Sequence, residues 1–225
     1  MKYLLAITTA FVLLLLAAPH VFSQGAGIEW DILNEEVREL SRVAKYDRAV
    51  VVAKKVLEVA EKNVGPNHPA VATSLNSLAW LYLTQGQYAQ AEPLIKRALA
   101  ISEKALGPNH PYVATSLHNL AGLYLTQGQY AQAEPLYRRA LAIDEKALGP
   151  EHPEVATSLH NLAGLYKAQG RYAQAEPLFK RALAIREKAL GPNHPAVATS
   201  LNGLAWLYLT QGQYAQAEPL INPSL

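Results

Sequence analysis

Cysteine is absent from all 225 residues, which excludes disulfides, thiolate metal sites and a thiol nucleophile. It also excludes a lipid anchor on an N-terminal cysteine. Charge of one sign is scarce, with 20 Lys and Arg against 18 Asp and Glu, and no basic face is large enough for nucleic acid. No apolar run reaches the ~20 residues of a membrane-spanning helix. A Gly-rich phosphate loop and a His-Glu-x-x-His motif are both missing. No Ser, Asp or Glu recurs beside a histidine at a nucleophile–base spacing. The chain therefore reads as a non-enzyme without cofactor or metal.

One apolar stretch does stand out. Met1-Lys2-Tyr3 precedes a run from Leu4 to Ala18 broken only by Thr8 and Thr9, then Pro19-His20-Val21-Phe22-Ser23. A basic start, a short apolar segment and small residues before Gln24 predict a signal peptide over residues 1–23. The alternative is an uncleaved N-terminal anchor, the chain's one route to a membrane. Removing Lys2 leaves 19 basic against 18 acidic residues, a mature charge of +1. An exported protein, periplasmic or secreted, is expected.

The remainder repeats every 42 residues, punctuated by Gly-Pro-Asn/Glu-His-Pro at Gly65, Gly107, Gly149 and Gly191. Such a period predicts stacked small units rather than one central core. Pro69–Ile95 and Pro195–Ile221 differ at one position of 27, Ser77 against Gly203. The expected division is a diverged capping repeat over 24–68, repeats over 69–110, 111–152 and 153–194, and a truncated repeat over 195–225.

Within a unit the period is helical. Val71, Leu75, Leu78, Ala79 and Tyr82 recur at steps of three and four. Pro69 suits a first helical position and Asn67 or His68 can cap it. Gly86 breaks the pattern, and a second helix begins near Tyr88 with Ala91, Leu94, Ile95, Ala98, Leu99 and Ile101 in step. Gly107, suited to a left-handed position, and Pro108 end it. Pro93, Pro135, Pro177 and Pro219 lie inside these second helices and predict a slight bend. Glu92–Lys96, Glu134–Arg138 and Glu176–Lys180 are expected as exposed i,i+4 pairs.

The order Leu75, Leu78, Ala79, Tyr82, Gly86, Tyr88, Ala91, Ile95, Ala98 resembles a tetratricopeptide repeat. The 42-residue period and the Ala-Glu-Pro-Leu run resemble the kinesin light chain type. The resemblance covers 69–221, and Leu33, Leu40, Tyr46 and Ala49 place 28–68 as a diverged copy, with Glu36 for Leu78 and Ala44 for Gly86. It implies an all-α, right-handed superhelical solenoid of antiparallel helix pairs, following the signal peptide. It also implies a concave groove, lined by the first helices, that holds a peptide or protein segment.

With Leu75, Leu78 and Tyr82 taken as buried, the helical wheel places Thr73, Asn76, Trp80 and Leu83 on the groove flank, beside Ser77 and Thr84. The equivalents are Thr115, His118, Asn119 and Leu125 with Gly122, then Thr157, His160, Asn161 and Lys167 with Gly164, then Thr199, Asn202, Trp206 and Leu209 with Gly203. Amides at Asn76, Asn119, Asn161 and Asn202 can pair with a ligand backbone, or with neighbouring helices to order the stack. Trp80 and Trp206 offer aromatic contact area or fill gaps between repeats. Gly122 and Gly164 allow close helix approach or open a recess.

His68, His110, His152 and His194 recur one repeat apart, roughly 8–10 Å in a helix stack, too far for a shared ion whose ligands lie about 2 Å away. The second helix of the last unit stops after Ile221, leaving Leu207, Leu220 and Ile221 expected to be partly exposed. A longer array, fraying, or docking on a partner or second copy would each account for that end. The function expected is a non-catalytic interaction scaffold. The alternatives are the regulatory arm of a larger exported enzyme, or an envelope glycan-binding module using the Asn, His and Trp surface.

Overall fold

The computed structural model describes residues 24–221, so the predicted signal segment, residues 1–23, lies outside the described residues. Among these there are ten α-helices and no strand: α1 (Gln24–Arg42), α2 (Tyr46–Val64), α3 (Pro69–Thr84), α4 (Tyr88–Leu106), α5 (Pro111–Thr126), α6 (Tyr130–Leu148), α7 (Pro153–Ala168), α8 (Tyr172–Leu190), α9 (Pro195–Thr210) and α10 (Tyr214–Ile221). Two compact units divide within α5, one ending at Leu123 and the other starting at Tyr124. No described helix is long and apolar enough to cross a membrane.

The helix starts come from proline and histidine together. Pro69, Pro153 and Pro195 occupy the first turn, and His68, His152 and His194 cap it: each Nδ1 accepts from the backbone N–H two residues on, at 3.1, 3.2 and 3.1 Å. His110 does the same for Tyr112 at 3.2 Å. An unprotonated ring nitrogen thus takes the part usually played by Ser or Asp, and the loop histidines are accounted for.

The turn inside each pair is a Schellman motif. After α3, Gly86 N–H donates to Leu83 O at 3.0 Å and Gln87 N–H to Tyr82 O at 2.8 Å. Gly128, Gly170 and Gly212 repeat the pattern. After α1 the left-handed position is held by Ala44, at φ 55°, with Ala44 N–H bonded to Ser41 O and Lys45 N–H to Leu40 O. At the other helix ends the left-handed expectation is corrected. Gly107 has φ 89° and ψ 157°, an extended backbone of positive φ that only glycine adopts freely.

In the unit ending at Leu123, a core cluster joins Trp30, Val56 and Ala60 of the first pair to Val71, Ala72, Leu75, Ala98 and Ile101 of the second. In the other unit Val155, Ala156 and Leu159 of α7 pack with Ala182 and Ile185 of α8. The first helices are covered nearly all round: Leu75, Leu81, Leu159, Leu165 and Leu207 are wholly buried. Leu207, expected to be partly exposed, is therefore a correction. It stands where Leu81 stands in α3, on the face covered by the preceding pair. Leu220 is half-buried and Ile221 exposed.

Candidate functional site: the accessible stripe of the first helices

The residues assigned to the groove separate into two groups. Buried are Asn76, Leu83, Asn119 and His160; half-buried are Thr73, Trp80, Thr115, His118, Leu125, Thr157, Asn161, Lys167, Thr199 and Leu209; exposed are Asn202 and Trp206. Thr73 and Trp80 with Thr115 and His118 belong to the first unit, and the set from Leu125 onward belongs to the second.

The buried amides hold neighbouring repeats together. Asn76 Nδ2 donates to Ser116 Oγ at 2.9 Å, and Asn119 Nδ2 donates to Asn76 Oδ1 at 3.4 Å. Satisfied and buried, this pair orders the stack of α3 on α5. Trp80 meets Tyr46 edge to face, with centroids 6.4 Å apart. His160 is packed edge to face on Phe179, centroids 5.1 Å apart, and its Nδ1 has no hydrogen-bond partner. Burial, with the nearby Arg186 and Lys167 charges, pushes its pKa down to about 3. The ring is therefore neutral.

What stays accessible on α7 is a stripe of Thr157, Asn161, Gly164 and Lys167. Nothing lies within 4 Å of where a Gly164 Cβ would sit, so that glycine opens a recess. Burial holds the Lys167 ammonium below its ordinary pKa, and no carboxylate pairs with it among the described residues. On α9 the stripe continues as Thr199, Asn202, Trp206 and Leu209, with Trp206 52% exposed. The stripe offers an amide, a cation, an indole face and a recess, each suited to a polypeptide ligand. Among the described residues no group of three or more His, Asp or Glu could hold a metal ion.

Two polar arrangements between repeats escaped the sequence reading. Ser158 Oγ donates to buried Asp144 Oδ2 at 2.5 Å. One repeat on, buried Arg186 donates to Ser200 Oγ at 2.7 Å, Thr157 Oγ1 at 3.1 Å and Ala196 O at 3.4 Å. Position 102/144/186 is Ser, Asp, then Arg in helices otherwise nearly constant, and that variability beside a recurrent serine was the available signal. The second arrangement extends the i,i+4 pairs, which form as expected at 2.7, 2.9 and 2.7 Å. Glu134 also accepts from Tyr166 Oη at 3.2 Å and pairs with Arg171 at 2.6 Å, while Arg171 stacks 4.2 Å above the Tyr166 ring. Glu176 accepts from Tyr208 Oη at 2.9 Å. These cations and hydroxyls hold both carboxyls below their ordinary pKa.

Paired helices, Schellman turns and first-helix stripes define a helical-repeat scaffold. Overlapping matches to the tetratricopeptide repeat model span residues 40–104, 84–146, 124–188 and 154–222, and the chain belongs to that family. Its structural neighbours include a putative kinesin light chain of Podosopora anserina with nearly identical TPR-like repeats, 32% identical over 86% of this chain and 91% of that one, TM-score 0.71. A Rap protein complexed with Competence and Sporulation Factor shares the fold at TM-score 0.73 and 20% identity, over 85% of this chain and 51% of that one. Among curated relatives, the RxLR effector protein SFI4 of Phytophthora infestans and the secreted RxLR effector protein RXLR-C07 of Plasmopara halstedii are each 36% identical over 73 residues. Those matches take in 32% of this chain and 22% of each effector. The fold is generally a non-catalytic protein-interaction scaffold.

Proposed function

We propose that this chain is an exported, non-catalytic scaffold that holds a peptide or protein segment along the stripe of its first helices. The observation that carries the reading is the stripe on α7 and α9. In helices buried almost all round, Thr157, Asn161, Gly164, Lys167, Thr199 and Trp206 remain open to solvent. Asn161 serves a ligand's main chain, Lys167 a carbonyl or carboxylate, and Trp206 an apolar side chain. A Rap protein of the same fold was solved in complex with Competence and Sporulation Factor, which supports a partner-holding use of the fold without locating the surface.

Export rests on the residue 1–23 pattern and on a likeness to a secreted effector. Recovery of a chain beginning at Gln24 outside the producing cell would support it; a cell-retained chain beginning at Met1 would not.

The binding test is a pull-down from envelope and culture-supernatant fractions with the chain from Gln24 onward, beside Asn161→Ala/Lys167→Ala. Both positions are half-buried, and among the described residues neither side chain forms a hydrogen bond or ion pair to a neighbouring repeat; circular dichroism checks that the variant keeps its fold. Capture by the unmodified chain only is the expected result. Equal capture by both would move the binding surface elsewhere.

A further inference from the structure

The helices α3, α5, α7 and α9 all start on a titratable acceptor. Nδ1 of His68, His110, His152 and His194 accepts the N–H of Ala70, Tyr112, Glu154 and Ala196 at 3.1, 3.2, 3.2 and 3.1 Å. An imidazole that accepts at Nδ1 carries its proton on Nε2, and the doubly protonated ring has no acceptor left. Serine, threonine and asparagine, which commonly cap helices, do not change protonation in mild acid. Asparagine stands one residue before the histidine at Asn67, Asn109 and Asn193, yet the histidine is the cap.

Protonation acts twice, and in one direction. It sets a donor against the donor N–H two residues on, so that amide loses its partner. It also puts a positive charge at the positive end of the helix dipole.

The charges around the loops are largely taken up by one another. At the loop of His68, Glu61 of α2 is held by Arg97 of α4 at 2.6 Å, and Arg97 also donates to Pro66 O at 3.4 Å. At the loop of His152, Glu145 of α6 is held by Arg181 of α8 at 2.6 Å, and Arg181 also donates to Pro150 O at 3.1 Å. Glu151 there pairs with Lys188 at 3.1 Å. In the same register Glu103 of α4 precedes His110, whose ring lies 5.1 Å from that of Tyr112, and Glu187 of α8 precedes His194. α9 itself contains no charged residue. Among the four capped helices only α7 has an acid in its first turn, Glu154.

We propose that the cap histidines form an acid-sensitive latch: taking a proton at Nδ1 opens the first turns of α3, α5, α7 and α9. The second helices α4, α6 and α8 start at Gln87, Gln129 and Arg171 without a side-chain cap, so acid leaves their first turns as they are. The folded array uses the neutral ring, and stability is therefore lost as pH falls and not as it rises. The latch belongs to the array itself and needs no ligand on the stripe.

Urea unfolding at about pH 7.5 and about pH 5.5 tests this on the chain beside His68→Asn/His110→Asn/His152→Asn/His194→Asn, which keeps a side-chain acceptor at every cap. Both chains retain His118 and His160, so those rings cancel in the comparison. On acidification the unmodified chain should lose more stability than the variant, by roughly fivefold in the unfolding equilibrium for each cap. Amide exchange on the unmodified chain, corrected for the intrinsic rate at each pH, reads the latch even if the variant does not fold. Protection of Ala70 N–H should fall roughly fivefold at the lower pH. Ala91 N–H, bonded to Gln87 O at 3.2 Å at the start of α4, should hold to within about twofold. Equal pH dependence of the two chains overturns the proposal, and so does retained protection at Ala70.

Discussion

A Cβ placed on Gly203 would lie 2.7 Å from His160 Cε1 and 2.9 Å from Phe179 Cε1. The one difference between the two near-identical copies is thereby explained. Ser77 follows a pair that has Asn34 and Ala53 at the places of His160 and Phe179, so a side chain fits there and not here. Gly203→Ser should cost about 1–3 kcal/mol by overpacking, more than the roughly 0.5 kcal/mol that helix propensity would return. His160→Asn should recover part of the loss. Urea unfolding of the two single variants and the double closes the cycle; additive effects would contradict the contact.

The buried His160 makes stability depend on pH. Its folded pKa lies near 3, below the ~6.5 of an unfolded histidine. The unfolded chain therefore binds the extra proton, and stability falls as pH drops from about 6.5 towards 3, being fully present above that window. The slope is at most about 1.4 kcal/mol per pH unit, so roughly 2 kcal/mol is lost by about pH 5. His160→Asn should remove this component, measured by melting temperature against pH. An unchanged slope would show that the ring titrates normally.

Two backbone positions predict opposite signs. Ala44 at φ 55° occupies the left-handed place held by glycine in the other Schellman turns. Ala44→Gly should stabilise by about 1 kcal/mol through relief of that strain. Gly107→Ala, at φ 89° and ψ 157°, should destabilise by about 1–3 kcal/mol. Thermal denaturation of both variants checks the pair.

Tyr208→Phe removes the hydroxyl that Glu176 accepts at 2.9 Å while keeping the ring buried. A loss of about 0.5–1.5 kcal/mol is expected, with faster amide exchange across α9 than across α7. Unchanged exchange would mean the bond does not couple the repeats.

Much of this was legible in sequence because a 42-residue period exposes the same choice several times. Pro69, Gly86, Gly107 and the Leu75–Tyr82 spacing placed helices and turns to within a residue, and His68 was foreseen as a cap. The site was less legible. A helical wheel separates one face from another, but it does not show that Asn76, on a flank with Thr73 and Trp80, is bonded to Ser116 and Asn119 of the next repeat and buried, or that Leu83 is buried as well. The Asp144–Ser158 and Arg186–Ser200 bonds join residues 14 apart in chain, across a loop, where no helical periodicity relates them. Leu207 was misjudged because the unit's incomplete second helix does not uncover the face that meets the preceding pair.

The central claim is that a partner polypeptide lies along the first-helix stripe. It is tested most directly by photo-crosslinking from a benzophenone side chain at Asn161, on that stripe of α7, against the same group at Ala184, exposed on α8. The account predicts a protein adduct from position 161 and none from 184. An adduct from 184 with none from 161 would contradict it.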